Sequence, residues 1–282
     1  MLRALSAAGA ALVLAGVGVA WAATHGEKPE AYPFSFESPL GSYDMAAVQR
    51  GFQVYNQVCA NCHSMNHLAY RHLGEEGGPF ALYMVQNEET HELEPHVGRP
   101  EHGGTFVEVT DNPYVRAIAQ SHMITDVDPN SGQPADRPGR ISDHFRRPYP
   151  NEIAARASNG GAAPPDLSVI TSARHGGARY VRSLLMGYTG ETEGTLHHNP
   201  YFPGGRLAMP PPLADGAVPY EDPNTPQTVA QYATDVATFL QWSADPHMEQ
   251  RKRLGLVVLA FLIALAGLLF LAYKQVWRGE SH

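Results

Sequence analysis

Cys59-Ala60-Asn61-Cys62-His63 decides how this chain is read. Two cysteines three apart at the end of a helix point to nearly the same side, and the histidine comes immediately after. That is the attachment pattern of c-type haem: both sulfurs can form thioethers with the vinyl groups on one porphyrin edge, while His63 is carried beneath the ring centre to coordinate iron. These are the only cysteines among 282 residues, so no framework of several disulfides is available. A thiol-redox pair would sit in a βαβ context, and the flanking pattern here is helical. A zinc site would need four Cys or His ligands, and none of the 14 histidines repeats at a finger spacing around this pair.

Upstream of the motif, Asp44 is placed to cap a helix running to about Cys62, with Val48, Phe52, Tyr55 and Cys59 on one face. Downstream, residues 66 to 150 read as mostly irregular, because prolines from Pro79 to Pro150 interrupt any long element; a short helix is expected near Tyr114 to Gln120. Val181, Leu184, Leu185 and Tyr188 fit one face of a helix from Arg179 to Tyr188. Thr225-Pro226 reads as the start of another, whose face of Val229, Ala233, Val236 and Leu240 runs to Asp245-Pro246. No strand alternation of useful length and no internal repeat is seen. The fold class is therefore mainly α with long loops.

Both ends fall outside this domain. Residues 1 to 22 carry one charge, Arg3, then an apolar stretch from Ala7 to Val19 and Ala20-Trp21-Ala22, which reads as a cleaved secretory signal. Residues 251 to 282 read as an anchor and a short tail. Leu254 to Tyr273 contains no charged residue and is long enough to span a bilayer. An exported N-terminus puts the tail in the cytoplasm, although the flanking charges, three basic residues before the span and two after it, lend no support. The domain between, residues 23 to 250, holds 14 basic and 27 acidic residues, a net charge of −13 that disfavours nucleic acid as a partner. Eight glutamates lie between Glu75 and Glu108 with one basic residue, Arg99. Such a run is a solvated loop or a docking surface for a basic partner.

An iron that only transfers electrons needs a sixth ligand, and a methionine thioether favours the reduced state. Met65 lies too close to His63 to reach the opposite ring face. Met45 starts the cysteine helix, Met186 fits a packed helix and Met248 abuts the span. Met209 sits in a loop, Tyr201 to Pro212, where glycines permit close approach and the prolines after Met209 stiffen the chain. Spacing favours it, with Met84 and Met123 left open.

Beyond the motif, the chain resembles the cytochrome c1 family, the membrane-anchored haem subunits of cytochrome bc1 complexes. The resemblance rests on Arg50-Gly51-Phe52-Gln53-Val54-Tyr55, Asn159-Gly160-Gly161, Pro164-Pro165-Asp166-Leu167-Ser168 and Ala173-Arg174-His175-Gly176-Gly177. It continues through Tyr180-Val181 with Ser183-Leu184-Leu185, Tyr201-Phe202-Pro203-Gly204 with Met209, and Phe239-Leu240 running through Arg251-Lys252-Arg253. Together these cover roughly half of the chain after the signal. Little is recognisable between Asn66 and Pro150.

The resemblance implies a class I cytochrome c-like domain with long inserted loops and one C-terminal transmembrane helix. It implies one covalent haem c, with Cys59 and Cys62 as thioether positions and His63 and Met209 as axial ligands. Arg174 would pair with a haem propionate, and Asn159, Pro164 and Pro165 would wall the pocket. The implied function is electron transfer from a Rieske iron-sulfur protein to a soluble or membrane-bound cytochrome c, beside cytochrome b, in a complex that is dimeric. No catalytic residue is expected on the chain itself, enzymatic activity being a property of the whole quinol:cytochrome c reductase. The implied setting is a bacterial cell membrane, single-pass, with the haem domain in the periplasm.

Overall fold

The computed structural model describes residues 26–100 and 103–279. The expected signal, residues 1 to 22, lies outside them, as do the last three residues of the expected tail. Seven α-helices are found among the described residues: α1 (Met45–Gln57), α2 (Pro113–Gln120), α3 (Glu152–Ser158), α4 (Ile170–Ala173), α5 (Gly177–Met186), α6 (Val229–Ala244) and α7 (Met248–Val276). The fold is mainly helical with one long apolar C-terminal helix, as the sequence indicates.

The core is the crossing of α1 and α6. Asp44 caps α1 by accepting from Ala47 N at 3.1 Å, and Val48, Val54, Tyr55, Val236, Phe239 and Trp242 are buried at the crossing. Gly51 lets the two backbones approach, since a Cβ there would run into the Asp235 carbonyl oxygen and its carbon. Beside it, the fully buried Asp235 accepts from Arg50 Nε at 3.0 Å and from a second guanidinium nitrogen at 3.0 Å. Tyr220 (2.9 Å) and Gln231 (3.1 Å) complete its shell. One carboxylate thus ties both helices to the loop before α6.

Three boundaries differ from the sequence reading. α1 ends at Gln57, and Cys59–Asn61 forms a 3₁₀ turn, with Asn61 Nδ2 donating to the carbonyls of Gln57 (3.1 Å) and Val58 (3.2 Å). α5 starts and stops two residues early, at Gly187, which leaves Tyr188 outside it. α6 starts at Val229, capped by Thr228, because Thr225 is held in a turn by Asp222 (Oγ1 to Oδ2, 2.8 Å).

The segment read as irregular contains strands as well as the expected α2. β1 (Leu82–Gln86), β2 (Leu93–Val97) and β3 (Thr105–Val107) form an antiparallel sheet in the order β2-β1-β3, and β4 (Met123–Val127) pairs with β5 (Pro134–Pro138). Their prolines are compatible with pairing because β2 is an edge strand and β4 and β5 form a two-stranded ribbon. Very short strands β6 (Thr192–Glu193), β7 (Leu196–His198) and β8 (Arg206–Leu207) form a third sheet. All three are small and open, so the fold class stands.

Asp143 pins the β4–β5 ribbon to the core. It accepts from Arg137 at 2.6 and 3.0 Å and from Arg140 N at 2.7 Å, and the Arg137 bonds hold its carboxyl below the ordinary value. A depressed carboxyl contributes stability that is complete above its unfolded value, about 4, and is lost as pH falls through the folded one. Urea midpoints of the solubilised protein are therefore expected to fall steeply below about pH 4. Asp143→Asn should make that fall shallower, and an unaltered slope would remove Asp143 from the account.

α7 is unbroken for 29 residues, roughly 44 Å at 1.5 Å per residue, and its apolar window has a mean hydropathy of 3.0 with none of it buried. It is a single-pass membrane anchor. Its first two turns are fastened to the domain. Lys252 Nζ donates to the carbonyls of Phe36 (2.6 Å), Ser38 (2.8 Å) and Gly41 (3.2 Å). Glu249 accepts from Tyr43 N (3.1 Å) and from Arg99 (2.8 Å), and Arg251 pairs with Asp245.

Candidate functional site

The 3₁₀ turn after α1 presents Cys59, Cys62 and His63 in sequence. The backbone N–H of Cys62 (3.1 Å) and that of His63 (2.8 Å) both donate to the Cys59 carbonyl, which winds the three residues tightly. Both thiols are half-buried and free. Burial pushes the Cys59 thiol up to about 12, with the neighbouring Cys62 adding to the rise. A thiol held protonated at neutral pH is a poor partner for disulfide exchange, which argues against the thiol-redox reading.

His63 Nδ1 lies 2.8 Å from the Pro165 carbonyl. A carbonyl only accepts, so Nδ1 carries the proton and Nε2 keeps its lone pair. Burial also holds the imidazole below its ordinary pKa, so the ring is neutral at pH 7. A neutral imidazole with its far nitrogen oriented by a carbonyl is the arrangement a metal-ligating histidine requires. Tyr55 OH fixes the same residue from behind, donating to the His63 carbonyl at 3.2 Å.

The Pro164-Pro165 segment is clasped to the chain just after His63. Leu167 N donates to the Ser64 carbonyl (2.9 Å) and His67 N to Ser168 Oγ (3.1 Å). Asp166 Oδ2 accepts from Ser64 Oγ (2.8 Å) and Asn66 N (2.8 Å), while Oδ1 accepts from Ser168 N (2.9 Å). Burial alone would raise this carboxyl, but the hydrogen bonds from Ser168, Asn66 and Ser64 outweigh it and hold it low. The whole clasp joins segments about a hundred residues apart in the chain.

The other expected site residues lie on separate elements. Asn159 ends α3 and donates from Nδ2 to the Ala155 carbonyl at 2.7 Å, ahead of Gly160 and Gly161, both with positive φ. Arg174 is exposed at the end of α4. Burial raises the Tyr180 phenol above its ordinary value, and the Arg174 charge partly offsets that rise. Met209 is half-buried two residues after β8, and Tyr188 OH donates to its carbonyl at 3.0 Å. The fully buried Asn199 secures that loop, its N–H donating to the Gly205 carbonyl (2.8 Å) and its Nδ2 to Leu184 (2.7 Å).

Sequence reasoning misses Asp166, Tyr188 and Asn199 as site residues. An Asp two residues before a Ser is a turn signal that hints at the first. Nothing local marks Tyr188, whose partner lies 21 residues away, whereas Asn199 also accepts from Tyr201 N at 3.2 Å, so Asn199-Pro200 is a turn signal that hints at the third.

The donor set suits a porphyrin iron. Among the described residues no group of three or more His, Cys, Asp or Glu side chains is placed to hold a bare metal ion. The turn offers instead paired thiols and one oriented neutral imidazole. A mainly helical domain that combines these with a C-terminal membrane helix defines a membrane-anchored c-type cytochrome.

Similarity to known proteins makes this narrower. Residues 34–280 match the Cytochrome C1 family. A protein of Solanum tuberosum, "Cytochrome c1-2, heme protein, mitochondrial", is 43% identical over 94% of this chain and 91% of its own length. "Cytochrome c1, heme protein, mitochondrial" of Saccharomyces cerevisiae is 41% identical over 92% of this chain and 75% of its own. "Cytochrome b/c1" of Bradyrhizobium diazoefficiens is 42% identical over 99% of this chain, which spans 39% of that protein's length. The chain belongs to the cytochrome c1 family. Its role is electron transfer within a bc1-type complex, as an electron-carrying subunit that is not catalytic on its own, and family membership implies a haem c.

Proposed function

We propose that this chain carries one haem c on Cys59 and Cys62, with His63 and Met209 as its axial ligands, and relays single electrons from a Rieske iron-sulfur protein to a soluble or membrane-bound cytochrome c. The observation that carries the reading is the 2.8 Å contact of His63 Nδ1 with the Pro165 carbonyl beside two unpaired thiols. When bound, the haem supplies a one-electron couple. The protein holds His63 neutral and oriented and tethers the Met209 loop through Tyr188, and the exposed Arg174 would pair with a propionate. Asn159, Pro164 and Pro165 wall the pocket.

Cytochrome b and the Rieske protein are the proposed complex partners, in a dimeric assembly. The Bradyrhizobium relative, named cytochrome b/c1, supports the first of these. Residues 1–22 are the export signal, residues 23–250 the periplasmic haem domain, and residues 251–282 the anchor and cytoplasmic tail of a protein of the bacterial cell membrane. The clamp at the start of α7 supports this orientation despite the flanking charges. Arg251 is paired with Asp245 and Lys252 is surrounded by three carbonyls, so two of the three basic residues before the span are engaged by the domain.

A dithionite-reduced minus oxidised spectrum of the mildly solubilised, C-terminally tagged protein tests the proposal. c-type and b-type bands together are expected. A c-type band alone would indicate a free-standing cytochrome, and no haem would overturn the site. The acceptor side has its own test. Glu88, Glu89, Glu92 and Glu94 are exposed on and around the β1–β2 hairpin, so electron delivery to a basic soluble cytochrome c should slow as ionic strength rises. A flat salt dependence would remove this hairpin as the docking face.

A further inference from the structure

We propose that Asp166 is a positioning residue for His63, holding the Pro165 carbonyl on His63 Nδ1 and so setting the plane and electron donation of the imidazole. This rests on His63 being the haem ligand.

The Pro165 carbonyl, which accepts from His63, belongs to a chain segment without regular secondary structure, in a residue that is itself exposed. Proline fixes φ, but nothing in the ring fixes the direction of its carbonyl, which ψ controls. Asp166 supplies the missing constraint. Its two oxygens take three donors from both sides of the clasp: Ser64 Oγ and Asn66 N from the segment after His63, and Ser168 N from its own. Ser64 and Asp166 are the immediate neighbours of the histidine and of its acceptor. A shift of either segment along the other would therefore break the His63 bond and the carboxylate bonds together. Two further bonds, Leu167 N to Ser64 O and His67 N to Ser168 Oγ, hold the same two segments in register.

A hydrogen-bond acceptor changes the chemistry of a ligating imidazole. A firm Nδ1–H···O bond makes the ring more basic at Nε2, which favours ferric iron. It also fixes the plane of the imidazole ring. Weakening the clasp should therefore favour the ferrous state and let the ring turn.

The test uses Asp166→Asn, Ser64→Ala and Ser64→Thr in the full membrane complex, with covalent haem content, redox titration and low-temperature electron paramagnetic resonance of the ferric form. Haem content reports the underlying ligand assignment: no covalent haem in the unmutated complex would defeat that assignment first, and the present inference with it. With haem present, Asp166→Asn is expected to raise the ferrous-to-ferric ratio at a fixed ambient potential at least threefold and to move the low-spin g-values. Ser64→Ala keeps the carboxylate charge and removes one donor, so it should move both in the same direction by less, and Ser64→Thr should restore them. A raised ratio with unmoved g-values, and with Ser64→Ala indistinguishable from the parent, would mean that the carboxylate acts by charge alone and would overturn the proposal. If Asp166→Asn does not assemble, Ser64→Ala decides: unchanged g-values and ratio reject the positioning role.

Discussion

Met209→Leu should leave the haem attached and lower its midpoint potential by on the order of a hundred millivolts or more, within the roughly 0.8 V that axial ligation spans. Leucine nearly conserves methionine's volume, so the loop packing survives, and Tyr188 still donates to the backbone carbonyl of residue 209. What disappears is the thioether, the soft ligand that favours ferrous iron. Cys59, Cys62 and His63 are untouched, so covalent haem content should equal that of the parent while a redox titration of membranes shifts downward. An unchanged potential would pass the ligand role to another methionine. Met123 is half exposed at the start of β4, and Met84 pairs on both sides within the central strand β1. Neither is tethered as the Met209 loop is.

Asp235→Asn should cost about 3 kcal/mol, the lower end of what removing one partner of a buried ion pair costs, because Arg50 keeps 24% of its side chain exposed while Asp235 has none. For a chain of this size that is a fall of roughly 6–12 °C in Tm. The amide cannot accept from the guanidinium, Tyr220 and Gln231 at once, and the Arg50 charge is left without its counterion. The double variant Arg50→Met, Asp235→Asn should recover part of the loss, since the stranded charge is gone. Thermal melts followed by circular dichroism would measure both. Equal melts for parent and Asp235→Asn would mean that the α1–α6 crossing rests on apolar packing and Gly51 alone.

How much of the fold is legible in the sequence depends on how local each signal is. The Asp44 cap, the α1 and α6 faces and the α7 span depend on residues within a few positions of one another, and periodicity exposes them. The ribbon strands of residues 66–150 do not alternate: β2 is exposed throughout except for Val97, and β5 except for Arg137, so neither carries an apolar stripe. The helix boundaries differ where a side chain reaches back to the backbone or into a turn, as Asn61 does after α1 and Asp222 before α6. At the site, the cysteines and His63 are legible because the haem chemistry demands contiguity. The His63–Pro165 bond is not, because its two ends are 102 residues apart and only folding brings them together.

The clamp at the start of α7 also joins two parts that meet different surroundings. With Lys252 held by three carbonyls and Glu249 bridging Tyr43 and Arg99, the domain stands on its anchor as a mast stands in its step. A tilt of the domain against the anchor would have to break these five contacts or carry the start of the helix with it.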